Sequence, residues 1–135
     1  MEIFEAYSHA TLSLALWALL VILFSMLSLI GRDGDTRCEC GKPKRDYSNV
    51  TYRRERAFMN AVENSGPFIA ATLAAILTGA APFWVNLFAS VFIVSRIAMA
   101  AVHIGTENQP ARSICFVIGW LCMIVLALLA IFAAF

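Results

Sequence analysis

The stretch RRERAFMNAVENSGPF, residues 53–68, passes from a run of charged side chains directly into an apolar segment. Arg53, Arg56, Asn60 and Glu63 follow one another at spacings of three, four and three. Such spacing places side chains on one face of a helix. A charge at bilayer depth costs about 3 kcal/mol or more, so ionisable residues in membrane helices usually face the bundle interior. We therefore expect this face to carry a binding site.

The composition indicates that the chain lies in a membrane. Of its 135 residues, 61% are hydrophobic and 14% are charged, against about 45–50% and about 25% in soluble domains. A membrane helix needs about 20 apolar residues, and backbone groups in lipid must be bonded internally. The predicted fold is a single all-α integral membrane domain over residues 1–135, a bundle of four transmembrane helices at about residues 7–30, 57–78, 83–104 and 113–135.

Basic residues predict the orientation of these four spans. Eight of the ten Lys and Arg residues lie in the loop of about residues 31–56, whereas the turn at residues 79–82 carries none. The positive-inside rule then makes the loop cytoplasmic and places both termini on the other side. The first stretch has acidic residues before it and no small-residue cleavage site, so it is expected to remain as a span. A net charge of +1 argues against a nucleic-acid partner.

Two motifs resemble those of one family, the membrane-associated proteins in eicosanoid and glutathione metabolism (MAPEG). The first is Arg56-Ala57-x-x-Asn60-x-x-Glu63-x-x-x-Pro67-Phe68, which is similar to the family's second-helix signature. The second is Gly105 followed, after four residues, by Pro110-Ala111-Arg112-Ser113, which is similar to the loop that leads into helix four. The length and the four predicted spans fit the same family.

The resemblance implies a homotrimer, in a bacterial inner membrane, that binds glutathione between neighbouring subunits. It further implies a glutathione-dependent transferase or peroxidase acting on a lipophilic electrophile. Arg112 matches the arginine credited with stabilising the glutathione thiolate, and Ser113 matches the serine that follows it in the prostaglandin E synthases. Arg56, Asn60 and Glu63 match residues that hold the tripeptide, and the expected glutathione-binding set is completed by Arg53, Arg96 and His103.

The chain departs from the synthases at several positions of the site. Phe58 and Met59 stand where the synthases have a histidine and an arginine. Met99 replaces a histidine, while His103 and Phe116 each replace a tyrosine. These departures argue against the prostaglandin reaction itself.

The residue types agree with glutathione, which carries two carboxylates, an ammonium and a thiol. Arginine binds a carboxylate through two parallel hydrogen bonds, which suits Arg53 and Arg56, and Glu63 would accept the ammonium. A free thiol has a pKa of about 8.5 and a neighbouring guanidinium lowers it. Arg112 follows Pro110, a residue favoured in the first turn of a helix, where the dipole also favours anions.

Other interpretations remain open at this point. The protein would also fit a non-catalytic family member that binds lipid or a partner protein. A small proton-coupled exporter would use Glu63, although such exporters resemble one another in carrying the carboxylate in helix one, where this chain has no charge. Glu63 and Arg96 would alternatively form an interhelical ion pair. Arg53, Arg54 and Arg56 would alternatively anchor the helix in the headgroups.

Two cysteines lie in the charged loop. Cys38 and Cys40 offer too few ligands for a closed zinc site, so no metal site is predicted. A cytoplasmic loop also argues against a stable disulfide.

Overall fold

The computed structural model describes residues 2–135 and is helical apart from its connections. The helices are α1 (Glu2–Glu5), α2 (Ser8–Leu29), α3 (Val50–Leu77), α4 (Pro82–Gly105) and α5 (Gln109–Ala134). Within this described part, three helices are long and apolar enough to cross a membrane, namely α2, α4 and α5. The all-helical architecture agrees with the predicted fold class.

The helix α3 differs most from its predicted bounds, since it begins at Val50 rather than at about residue 57. The Asn49 side chain accepts a hydrogen bond of 2.8 Å from the Thr51 amide and so caps the helix. Arginine and glutamate are good helix formers, which favours extension above the apolar segment. The predicted loop is correspondingly shorter, and Arg53 and Arg56 lie within α3. Polar residues in the middle of α3 explain why it is not among the three most apolar helices.

The four long helices pack into one bundle, in which α3 and α4 each contact the other three. Its aromatic centre joins three of them. Phe68 of α3 and Phe92 of α4 stack with their ring centroids 3.9 Å apart. Trp17 of α2 meets both rings edge-on, at 6.0 and 5.0 Å, and its Nε1 donates to Ser65 Oγ at 3.0 Å. Aromatic pairs add about 0.5–1.5 kcal/mol beyond their buried area, so this cluster holds α2, α3 and α4 together.

One ion pair and several hydrogen bonds hold the connection between α2 and α3 against the helix ends. Arg32 pairs with the buried carboxylate of Glu55 and donates to the Ser28 carbonyl at 2.6 Å. Arg54 donates to the Ile30 carbonyl at 3.2 Å. The basic residues of this segment are therefore used partly to fold the loop onto the bundle.

The two loop cysteines are joined by a disulfide, Cys38–Cys40, so the expectation that this loop lacks a stable disulfide is wrong. A tight turn explains the pairing. The Gly41 amide donates to the Cys38 carbonyl at 2.9 Å, and Gly41 has a φ of 79°, which a glycine adopts without steric cost. The turn leaves the two Cα atoms 5.2 Å apart, within the range that a disulfide spans.

Candidate functional site

A cavity of about 290 Å³ opens between α3, α4 and α5, at the end of the bundle that carries the loop. Six of the eight predicted site residues line it. The complete lining is Arg56, Asn60 and Glu63 from α3, Met99 and His103 from α4, and Arg112, Ser113 and Phe116 from α5.

The α3 wall of the cavity carries one charge of each sign. Arg56 and Glu63 are both exposed, and Asn60 between them is partly buried. With a rise of 1.5 Å per residue, Glu63 lies about 10 Å deeper along the helix than Arg56. Along this wall, from the loop end inward, the cavity therefore meets the cation of Arg56, the amide of Asn60 and the carboxylate of Glu63.

The α5 wall is set by a capped helix start. Asn108 Oδ1 accepts a hydrogen bond of 3.1 Å from the Ala111 amide, and Pro110 occupies the first turn. The helix therefore starts at Gln109, four residues before the predicted start, and places Arg112 inside its first turn. The helix dipole makes this end positive, which favours an anion in the adjacent cavity.

A tyrosine that the sequence analysis missed holds Arg112 in place. Arg112 Nη1 donates to the Tyr47 hydroxyl oxygen at 3.1 Å, and its guanidinium lies over the Tyr47 ring, 5.6 Å from the centroid. The same hydroxyl lies 3.0 Å from Nδ1 of the buried His103. Tyr47 thus connects the loop to α4 and α5 beside the cavity. No spacing rule identifies it, because it lies in the irregular loop and reaches the site only when that loop folds back.

Arg96 lies behind the cavity, with 1% of its surface exposed. Its guanidinium donates to Asn60 Oδ1 at 3.2 Å and to the Phe116 carbonyl at 3.3 Å. It also lies over the rings of Phe92 and Phe116, 5.0 and 5.2 Å from their centroids. Among residues 4–135, the ion pairs are Arg32 with Glu55 and Arg53 with Glu107, so the alternative pair of Glu63 with Arg96 is not formed. Arg96 instead orients the amide of Asn60.

A glycine makes the position of Arg96 possible. A Cβ atom built on Gly119 of α5 would lie 2.6 Å from Arg96 Nη2 and 2.7 Å from both Arg96 Nε and Ser95 Oγ. Any side chain at this position would overlap the guanidinium. Gly119 therefore allows Arg96 to lie against the α5 backbone and reach the Phe116 carbonyl.

The structure does not bring Arg53 to the cavity. Arg53 is buried, and its Nη1 donates to the carbonyls of Tyr47 and Ser48 at 2.9 and 2.8 Å. Its Nε donates to the Ile104 carbonyl at 3.3 Å. Its Nη1 lies 3.7 Å from Oε1 of Glu107, a partner of opposite charge. The carbonyls at the end of α4 lack partners within their helix and attract a cation. Arg53 shares a helix face with Arg56, but its interactions are those of a support for the loop.

The spans and the polar cavity define an integral membrane protein of the helical-bundle class, in contact with the lipid bilayer. A sequence profile of the MAPEG family matches residues 9–132, and the chain belongs to that family. No individual curated protein matches the chain significantly.

Proposed function

We propose that the protein is a membrane-embedded glutathione-dependent transferase or peroxidase that acts on a lipophilic electrophile. The observation that carries this proposal is the charge pattern of the cavity, in which Arg56 and Arg112 stand with one carboxylate, Glu63. Glutathione offers complementary groups, namely two carboxylates, a thiol that ionises and one ammonium. The family, which includes glutathione transferases and peroxidases as well as non-catalytic members, supports the same substrate.

Each polar residue of the cavity has a role in this proposal. Arg56 binds a carboxylate of glutathione with its planar fork of donors. Glu63 accepts the ammonium, and Asn60, fixed by Arg96, supplies an uncharged hydrogen bond beside it. His103 and Ser113 offer further hydrogen-bonding groups on the opposite walls.

Arg112 stabilises the thiolate, with Ser113 beside it. A guanidinium has five N–H donors, so the bond to Tyr47 leaves others for the sulfur. A cation next to a thiol favours the ionised form and lowers its pKa. Tyr47 is the positioning residue, because its ring and hydroxyl together fix the guanidinium.

An apolar groove of about 680 Å³ supports a lipophilic second substrate. It runs between α3 and α5 and shares Glu63 and Phe116 with the polar cavity. Pro67, Trp120 and Met123 are among the apolar residues that line its remaining length. An acceptor that partitions from the bilayer would reach the thiolate along this groove.

We also propose a homotrimer with the loop on the cytoplasmic side and both termini on the other. The excess of Lys and Arg in the loop supports this orientation, whereas its Cys38–Cys40 disulfide is more typical of the opposite side. Glu63 is exposed on the surface of the single subunit within a membrane helix. A carboxylate facing lipid at that depth is unfavourable by about 3 kcal/mol. A neighbouring copy that covers Glu63 would remove this cost and close the cavity. Crosslinking of the detergent-solubilised protein tests the assembly, and recovery of monomer alone would rule it out.

The experiment that tests the proposed function is conjugation of glutathione to 1-chloro-2,4-dinitrobenzene, with reduction of cumene hydroperoxide as the peroxidase assay. We expect turnover with the wild-type protein and a loss of about 100-fold in Arg112→Ala, the magnitude typical of removing one donor to a developing anion. Lys44→Gln, which removes an exposed charge outside the cavity, is the control. Glutathione binding without turnover of any electrophile would favour the non-catalytic alternative, and absence of binding would reject the proposal.

A further inference from the structure

A second and larger cavity, of about 850 Å³, lies next to the first at the loop end of the bundle. The loop supplies one side of it and the first turns of α3 and α5 supply the other. Its lining is Lys42, Pro43, Arg45, Tyr47, Tyr52, Glu55, Arg56, Met59, Gln109 and Arg112. Only Arg56 and Arg112 are shared with the first cavity.

The lining carries an excess of positive charge. Four of its residues are cations and one is a carboxylate, Glu55. Glu55 is buried and already paired with Arg32, so its charge is compensated by a residue outside the lining. The Tyr52 hydroxyl and the Gln109 amide add neutral donors. The cavity is therefore suited to an anion with several acceptor oxygens.

The loop side of this cavity is held in a defined shape. The Lys42 carbonyl accepts a hydrogen bond of 2.9 Å from the Cys38 amide, and the Lys44 amide donates to the Thr36 carbonyl at 2.7 Å. Pro43, between them, is buried and pairs with Arg37 in an isolated β-bridge. This hairpin presents Lys42 and Arg45 to the cavity, whereas Lys44 does not line it.

From these observations we propose that the second cavity binds a phosphate group, that of an anionic phospholipid headgroup. The cavity lies where membrane helices emerge into a basic loop, the level at which lipid phosphates are found. Basic pockets between helix ends bind such headgroups through charge-assisted hydrogen bonds. The lining contains no unpaired carboxylate to receive a choline or ethanolamine cation. A zwitterionic lipid should therefore bind more weakly than an anionic one. The bound phosphate would lie beside the first cavity, since Arg56 and Arg112 border both.

The test measures lipid affinity in the full chain, in detergent and without glutathione. Short-chain phosphatidylglycerol and phosphatidylcholine are titrated by calorimetry into wild-type protein, Lys42→Gln, Arg45→Gln and Lys44→Gln. We expect tighter binding of phosphatidylglycerol by the wild type. Each of the first two substitutions should weaken it roughly 10-fold or more, the effect of one charge-assisted hydrogen bond. Lys44→Gln, with the same change in net charge, should leave it within about twofold.

Inorganic phosphate as a competitor distinguishes two possible sources of the bound phosphate group, a lipid headgroup and a soluble phosphate ester. Displacement of phosphatidylglycerol by phosphate supports a phosphate-specific site. Equal affinity for the two lipids, with phosphate alone binding in a Lys42-dependent manner, would overturn the lipid assignment in favour of a soluble phosphate ester. An equal loss in Lys42→Gln and Lys44→Gln would overturn the site itself. Because glutathione is absent, none of these failures bears on the proposed transferase or peroxidase.

Discussion

The substitution Gly119→Ala tests the close approach of Arg96 to α5. The new Cβ would lie 2.6 Å from Arg96 Nη2, and the guanidinium is confined by Phe92 and Phe116. Overpacking of this kind costs about 1–3 kcal/mol. Displacing the guanidinium also breaks its bond to the Phe116 carbonyl, a further loss of about 1.5–3 kcal/mol. Alanine in a helix recovers about 1 kcal/mol, so the net loss is about 1.5–5 kcal/mol.

Unfolding in detergent, followed with a thiol-reactive fluorogenic dye, measures this loss. Cys122 is 3% exposed and reacts once the bundle opens. The unfolding midpoint of Gly119→Ala should fall by several degrees. Gly105→Ala is the matched control, because a Cβ at Gly105 meets nothing within 4 Å. In an Arg96→Ala background the cost of Gly119→Ala should fall to the part caused by Ser95 Oγ, which lies 2.7 Å from the new Cβ. An equal cost in both backgrounds, or none in the wild type, would refute the packing argument.

Three further predictions concern the site and the topology. Glu63→Gln should weaken glutathione binding roughly 10- to 150-fold in calorimetry, the loss of one charge-assisted hydrogen bond; unchanged affinity would remove Glu63 from the ammonium site. Tyr47→Phe keeps the ring over Arg112 but loses the hydroxyl. Conjugation should therefore slow about 5- to 10-fold, and the pH at which the rate is half-maximal should rise. A purely structural role of Tyr47 would leave that pH unchanged. After mild reduction, Cys38 and Cys40 should react with an impermeant maleimide only in permeabilised cells, and labelling of intact cells would reverse the proposed orientation.

The helical nature of the chain and much of the cavity were predictable from the sequence. Long apolar runs allow little besides helices in lipid, and the regular spacing of Arg56, Asn60 and Glu63 determines that they share a face. The signature at Pro110 likewise indicated that Arg112 and Ser113 open a helix, and both line the cavity. These are local patterns, which is why one sequence is enough to read them.

The remaining features depend on contacts between distant residues. The spacing predicted that Arg53 shares a helix face with Arg56, but a free carbonyl at the end of α4 binds its guanidinium away from the cavity. Tyr47 reaches Arg112 only because the loop folds over the bundle, a contact between residues 65 positions apart. Gly119 has no signal in the sequence, since its importance depends on which helix packs against it. The disulfide depends on a tight turn at Gly41.

The most direct test of the central claim is the thiol pKa of glutathione bound to the protein. Thiolate absorbance in the ultraviolet, followed against pH at saturating glutathione, reports this pKa for the wild type, Arg112→Ala and Arg112→Lys. The wild-type complex should show a pKa at least about one unit below that of a free thiol, near 8.5, which corresponds to about 1.4 kcal/mol. Arg112→Ala should return the pKa toward the free value, so that its rate recovers as the pH rises, and Arg112→Lys should restore only part of the shift. A wild-type complex with the pKa of free glutathione, or with that of the Arg112→Ala complex, would contradict the assignment of Arg112 as the residue that stabilises the thiolate.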